Sequence, residues 1–137
     1  IGQDTVSHPF TCIHGRVKIG RRCSVGPFAF LREGTVLEED VVVGVFTELK
    51  NSSLGEGTRA RHLSYIGDAR IGQRVNVGAG TIFANFDGQR IQEAIVGDDT
   101  YIGNGSILVA PLSVKEKRQI AHGSVVRNTD AGQGGAS

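Results

Sequence analysis

Four side chains able to do chemistry crowd into one stretch of this chain. His62, Tyr65, Asn76 and Asn85 fall within 24 residues, along Arg61-His62-Leu63-Ser64-Tyr65-Ile66-Gly67-Asp68-Ala69, Asn76-Val77-Gly78-Ala79-Gly80-Thr81 and Asn85-Phe86-Asp87-Gly88. An imidazole can carry a proton near neutral pH, and a phenol and two amides can orient a polar ligand. A lone histidine is more often a surface or structural residue than a catalytic one, so the case for His62 rests on these neighbours. Upstream, Arg32 and Lys50 stand 18 residues apart, and His14 lies 18 before Arg32. If that interval is one turn of a regular structure, the two cations stack, and stacked cations repel unless an anion lies between them. Spacing alone favours Glu33 and Glu48 as the neutralising surface partners; the functional alternative is a phosphate clamp. His8, His14, His62 and His122 have no ligand-like spacing and no Cys or carboxylate joins them, so no metal is expected.

The element that would hold these residues is a repeat. Read in sixes from Ile1, the first positions are Ile1, Ser7, Ile13, Ile19, Val25, Leu31, Leu37, Val43 and Leu49. The fifth positions, Thr5 to Thr47, are all small or β-branched. The frame slips by one at Leu54, Ala60 and Ile66, slips again at Ile71, Val77 and Phe83, and resumes from Val96 to Val126. No α-helix has a six-residue period. Alternate residues of a short strand share a side, so positions one and five can both face inward, in a parallel β-helix of three hexads per coil. The expected prism has roughly seven coils about 4.8 Å apart, hence is about 35 Å long. Glycine recurs at position two, where it is expected to help the backbone turn a corner. Residues 84–95 interrupt the repeat as an inserted loop with an Asp87-Gly88 turn, either an ordinary loop or a binding element. The hexad 114–119 fits worst, with Arg118 at an inward position: either that coil distorts or Arg118 turns outward. Cys23 falls inward and Cys12 at an outward corner. The expected division is a β-helix domain over 1–127 and a flexible Gly-rich tail over 128–137.

Composition agrees with this architecture. Gly is 20 of 137 residues, aromatics are 6%, and Trp and Met are absent, which is poor material for a conventional core. A net charge of +1 gives no bulk attraction to nucleic acid or membranes. There is no run of 18 apolar residues and no signal-peptide pattern, and two cysteines make no disulfide framework; a reduced, cytoplasmic setting is the expectation. Ile1 in place of a starting methionine reads as a domain excised from a longer protein.

Together, Val25-Gly26-Pro27-Phe28-Ala29-Phe30-Leu31-Arg32, Glu48-Leu49-Lys50 and the three segments quoted first closely resemble the acetyltransferase half of the bacterial bifunctional N-acetylglucosamine-1-phosphate uridyltransferase/glucosamine-1-phosphate acetyltransferases. The resemblance covers about residues 19–127. It is specific, because a plain hexapeptide-repeat protein would share the period but not His62-Leu63-Ser64-Tyr65 or Asn85-Phe86-Asp87-Gly88. It implies an all-β, left-handed coil and a homotrimer with sites between subunits. The implied reaction moves the acetyl group of acetyl-CoA to the amine of glucosamine-1-phosphate, towards UDP-N-acetylglucosamine. His62 would be the general base, Arg32 and Lys50 would hold the sugar phosphate, and Tyr65 and Asn76 would complete that pocket. Ala79, Asn85, Phe86, Asn104 and His122 would line the acetyl-CoA side. A backbone N–H or Asn85 would stabilise the oxyanion. The family usually has Tyr at Phe86, Ser at Asn104 and Ala at His122, and its C-terminal extension has no counterpart beyond Asn128. Two other readings stay open: a non-catalytic trimerising module of a sugar-1-phosphate nucleotidyltransferase, and an acetyltransferase for another amino-sugar phosphate.

Overall fold

The structure, a computed structural model, describes residues 1–128. Twenty short strands form three parallel sheets, and every third strand falls in the same sheet. The first sheet stacks Val6–Ser7, Ser24–Val25, Val42–Val45, Arg59–His62, Asn76–Val77, Tyr101–Ile102 and Gln119–Ile120. The second stacks Cys12–Ile13, Phe30–Leu31, Glu48–Lys50, Tyr65–Gly67, Ile82–Ala84, Ile107–Val109 and Val125–Val126. The third stacks Lys18–Ile19, Val36–Leu37, Ser53–Leu54, Ala69–Ile71, Ala94–Val96 and Leu112–Val114. The chain is the expected left-handed parallel β-helix, a three-sided prism of about seven coils.

The first-position residues build the core as three aliphatic ladders. Val25, Val43, Ala60, Val77, Ile102 and Ile120 back the first sheet; Leu31, Leu49, Ile66, Phe83, Leu108 and Val126 the second; Ile19, Leu37, Leu54, Ile71, Val96 and Val114 the third. Each is buried, and each sits over its counterpart one coil away, as in Leu31 paired with Leu49 and Leu49 with Ile66. The fifth positions fill the corners between ladders with small groups: Cys23, Ala29, Thr35, Val41 and Thr47 are buried.

Four expectations need correction. Ile1, Ser7 and Ile13 are exposed: among the described residues their coil is stacked on one side only. The coil containing Arg118 is not distorted: Tyr101 N–H still donates to the Arg118 carbonyl at 2.9 Å, and the side chain is half-buried in the last coil. Cys12 is an exposed strand residue rather than a corner residue. Cys23 is buried as expected, its Sγ 3.0 Å from the Glu38 carbonyl, and burial pushes its thiol pKa up.

The fourth correction concerns the glycines. The corners are turned at position four, where Asp4, Phe10, Arg22, Phe28, Asp40 and Phe46 all have φ between 55° and 64°. Apart from Gly26, whose φ is 89°, the position-two glycines serve another purpose, which is to let adjacent coils touch. A Cβ on Gly55 would lie 2.6 Å from the Gly72 backbone. The inserted loop leaves the prism after Ile82–Ala84, at the corner between the second and third sheets. It is closed by a bridge between Phe86 and Ile91 and by Asp87, whose Oδ1 accepts from the N–H groups of Gln89 and Arg90. The expected tail lies outside the described residues except for Asn128, whose Oδ1 accepts from the Ser113 N–H at 3.2 Å.

The distinction between space and dihedral is measurable. Gly55→Ala should cost about 1–3 kcal/mol, the usual penalty of overpacking. Gly105→Asn should cost far less, because a Cβ on Gly105 (φ 70°) would meet nothing within 4 Å and asparagine tolerates that backbone. Chemical denaturation of the two variants checks this, and the reverse order of stabilities would contradict it.

Candidate active site

The corner between the second and third sheets gathers the charged residues. Arg32 follows the strand Phe30–Leu31, and Lys50 ends the strand above it, so they stack as the 18-residue spacing predicts. His14 lies one coil below, and His14, Arg32, Glu33, Gly34, Lys50 and Asn51 line an open groove of about 560 Å³. Neither cation is bare. Arg32 Nη1 lies 2.9 Å from Glu48 Oε2, and its guanidinium sits 5.9 Å from the Phe30 ring centroid. Lys50 Nζ lies 3.0 Å from Asp68 Oδ2. Glu48 is thus a partner as expected, whereas Glu33 turns to Arg16 at 3.3 Å and leaves Lys50 to Asp68.

Asp68 is the centre of this corner, and the motifs by themselves do not single it out. It is 6% exposed. Its carboxylate accepts from Lys50 Nζ, from Asn51 Nδ2 at 2.8 Å and from Asn85 Nδ2 at 2.7 Å. Burial pushes the Asp68 carboxyl up, but the hydrogen bonds from Asn51, Lys50 and Asn85, with the Lys50 charge, outweigh it and hold the group below the ordinary carboxylate range. A signal is present in the sequence: after the one-residue slip at Leu54 the residue in register with Lys50 is Gly67, and Asp68 follows it directly. Arg70 is a second residue that the motifs miss. Its Nη1 is 3.1 Å from the Asn51 carbonyl, and its Nε is 3.2 Å from Glu93.

Asn85 enters this corner from the inserted loop, and its Nδ2 also lies 3.2 Å from Tyr65 Oη. The structure therefore places Asn85 beside Tyr65 and Asp68. Phe86, next in the loop, is exposed. The remaining residues lie elsewhere. His62 ends its strand at the opposite edge of the second sheet, exposed, with its carbonyl accepting from Ser64 Oγ at 2.9 Å. Ala79, Asn104 and His122 stack at that same edge: the Ala79 N–H donates to Asn104 Oδ1 at 3.0 Å, and the Asn104 N–H donates to His122 Nδ1 at 2.7 Å. Asn76 is on the first sheet, between Arg59 and Tyr101, so one chain does not bring it to Tyr65. Among the described residues, no group of three or more His, Cys, Asp or Glu is placed to hold a metal. None of their helices is long and apolar enough to cross a membrane.

The edge that carries His62 is also apolar. Phe10, Phe28, Phe46 and Leu63 form an exposed column there, with ring centroids 5.2 Å apart for Phe10 and Phe28 and 5.7 Å apart for Phe28 and Phe46. All four have positive φ, a backbone that bulky side chains adopt only at a cost.

No family model matches the chain. Curated relatives do. The chain is 42% identical to the bifunctional protein GlmU of Thermotoga petrophila over 92% of its own length, and 45% identical to that of Nitrosomonas eutropha over 97%. It spans 36% and 29% of those two proteins, about a third of their length. The resemblance read from the motifs thus extends along nearly the whole chain. Two solved structures share the fold: the acetyltransferase domain of PglB from Neisseria gonorrhoeae in complex with acetyl coenzyme A (17% identity, TM-score 0.54, 90% of this chain and 49% of that one), and a perosamine N-acetyltransferase from Caulobacter crescentus in complex with CoA and GDP-perosamine (16%, 0.57, 92% and 50%).

Asp68→Ala should destabilise the fold by roughly 1–3 kcal/mol, because it removes the shared acceptor of Lys50, Asn51 and Asn85. The folded carboxyl lies below its unfolded value, so its contribution is complete above the ordinary carboxyl pKa of about 3.9 and is lost as pH falls through the lower folded value. Denaturation curves of both proteins should differ by a constant amount near neutrality and converge in acid. A gap that persists unchanged into strong acid would contradict the assignment.

Proposed function

We propose that this chain, similar over nearly its whole length to part of the bifunctional GlmU proteins, transfers the acetyl group of acetyl-CoA to the amine of glucosamine-1-phosphate. One observation carries the reading: the stacked Arg32 and Lys50 open onto one groove, and Lys50 shares the Asp68 carboxylate with Asn85, which touches Tyr65. These are four of the residues that the motif resemblance assigns to ligand contact. Arg32 and Lys50 take the phosphate and so aim the amine. His62 takes a proton from the amine as its nitrogen attacks the thioester carbonyl. A C–N bond forms, the tetrahedral intermediate collapses, the C–S bond breaks, and CoA leaves as the thiol with a proton returned from the imidazolium. Ala79, Asn104 and His122, at the edge that carries His62, line the acetyl-CoA side, and Phe86, at the opposite edge of the sheet, joins them from a neighbouring subunit. Cytoplasmic residence suits both substrates.

The working form is a homotrimer. Asn76 and Tyr65 lie on different faces of one prism, so they complete one pocket only across a subunit boundary. The exposed column of Phe10, Phe28, Phe46 and Leu63 supplies an apolar seam beside that boundary. Strained backbone at bulky exposed residues has a reason if those residues are covered in the assembly.

His62→Ala should lower kcat by roughly 10²–10⁴, the usual worth of a positioned base, with an unchanged melting temperature. The loss should shrink as pH rises, because the amine then needs no base. A folded His62→Ala protein with full kcat sinks the mechanism. Lys50→Ala should act mainly on KM for the sugar phosphate, and glucosamine without phosphate should be a poor substrate of the unmodified protein; equal use of both sugars removes the clamp.

Sedimentation equilibrium should give about three times the 14.5 kDa chain mass. Phe28→Asp should shift that towards the monomer and abolish activity with it. An active monomer contradicts the shared site.

A further inference from the structure

Asn85 reaches its corner from the inserted loop, and what it meets there decides which end of its amide is left for a ligand. An ionised carboxylate can only accept hydrogen bonds. The end of the Asn85 amide that lies 2.7 Å from Asp68 Oδ2 is therefore the NH2. The same Nδ2 lies 3.2 Å from Tyr65 Oη, so its two hydrogens have a carboxylate and a phenol oxygen as acceptors. Asn85 Oδ1 has no hydrogen-bond partner among the described residues, and the side chain is half-exposed. Asp68 is itself pinned. Lys50 Nζ at 3.0 Å and Asn51 Nδ2 at 2.8 Å hold its two oxygens, and its backbone N–H donates to the Lys50 carbonyl at 2.9 Å. Gly67 keeps the space beneath open: a Cβ there would lie 2.5 Å from Tyr65 Oη and would strike Asn85 Nδ2.

We propose that Asp68 is a positioning residue that fixes the Asn85 amide with its NH2 towards the protein, so that Asn85 meets the substrate as a hydrogen-bond acceptor, through Oδ1, and takes an N–H of the attacking amine. The identity of that donor rests on the acetyl-transfer reading; the amide orientation rests on the geometry alone. This assignment removes Asn85 from the candidates for oxyanion stabilisation, because an oxyanion needs a donor and a carbonyl oxygen repels it. Holding one N–H of the amine leaves its lone pair free to be aimed at the thioester.

The test has two arms. In the amide arm, the side-chain NH2 signals of Asn85 in the uniformly ¹⁵N-labelled, unmodified chain are assigned by their loss in Asn85→Asp. They should shift as acid protonates Asp68, and should move in Asp68→Asn at neutral pH. Signals indifferent to both changes overturn the orientation. In the kinetic arm, Asp68→Asn should lower kcat about 10–100-fold, the worth of one hydrogen bond to a charged group. KM for glucosamine-1-phosphate should change little, because Arg32 and Lys50 keep their charges; a general loosening of the corner would instead raise KM and lower the melting temperature. The double variant Asp68→Asn/Asn85→Asp should recover much of the rate. In it the carboxylate introduced at 85 accepts from the amide introduced at 68 and still offers an acceptor to the amine. Unchanged kcat in Asp68→Asn, or a double variant no faster than the single one, overturns the role. If the unmodified protein acetylates no amino-sugar phosphate, the acetyl-transfer reading fails, and the amide arm still decides what Asp68 does to Asn85.

Discussion

Each rung of this prism lies on the rung below it at hydrogen-bonding distance, and that contact is renewed along the described residues. The strands are only two to four residues long, so no rung can hold itself. Stability comes from neighbour-to-neighbour stacking. The close approach is why Gly55 sits on the Gly72 backbone with no room for a methyl group. It is also why the corners turn on one αL residue each. The cost of that conformation falls on aspartates and an asparagine at Asp4, Asp40, Asn51, Asp68 and Asp99, which tolerate it, and on phenylalanines at Phe10, Phe28 and Phe46, which do not.

The same stacking turns sequence intervals into columns, and columns are where chemistry can accumulate. The two edges of the second sheet show opposite uses of this. One edge stacks Phe10, Phe28, Phe46 and Leu63; the other stacks His14, Arg32 and Lys50, with Asp68 next to Gly67, the residue in register with Lys50. The Asp68 carboxylate beside this column faces three donors from two segments, Lys50 and Asn51 on one rung and Asn85 in the inserted loop. A buried ion pair by itself is weak support for a fold. Here it does something a hydrophobic contact cannot do. It ties the inserted loop, through Asn85, to the rung that carries Lys50, and it does so with direction.

Inward and outward can be read from the hexads because they depend only on strand alternation. From Ile19 to Val126 the first positions are buried as the frame requires. The pattern misleads where a second body is missing or where reach matters. Ile1 and Ile13 obey the frame, but among the described residues their coil is stacked on one side only. Glycine at position two suggests a turning residue, because a sequence shows that a side chain is absent without showing what approaches. Counting alone cannot assign Lys50 to Asp68 over Glu33, since a long flexible side chain chooses among neighbours by geometry. Sequence proximity groups Asn76 with Tyr65, although the two belong to different sheets. The motif resemblance can unite them in one pocket only if that pocket is shared between chains.

The phosphate clamp proposed for Arg32 and Lys50 would be electrically neutral at rest, and that would shape how it selects a ligand. Arg32 and Lys50 face Glu48 and Asp68, two cations against two carboxylates. An arriving phosphate does not fall into a bare positive well; it must replace or share a carboxylate. The two pairs differ in how readily they give way. Arg32 and Glu48 have side chains that are 39% and 38% exposed, and such pairs are worth about 0–1 kcal/mol. Glu48 can therefore swing into water at little cost. Asp68 cannot, since its departure would strand Lys50, Asn51 and Asn85 together. The phosphate would then take Arg32 from Glu48 and share Lys50 with Asp68. On that proposal a sugar without phosphate would have nothing to exchange for Glu48, and the resting ion pair itself would discriminate against it.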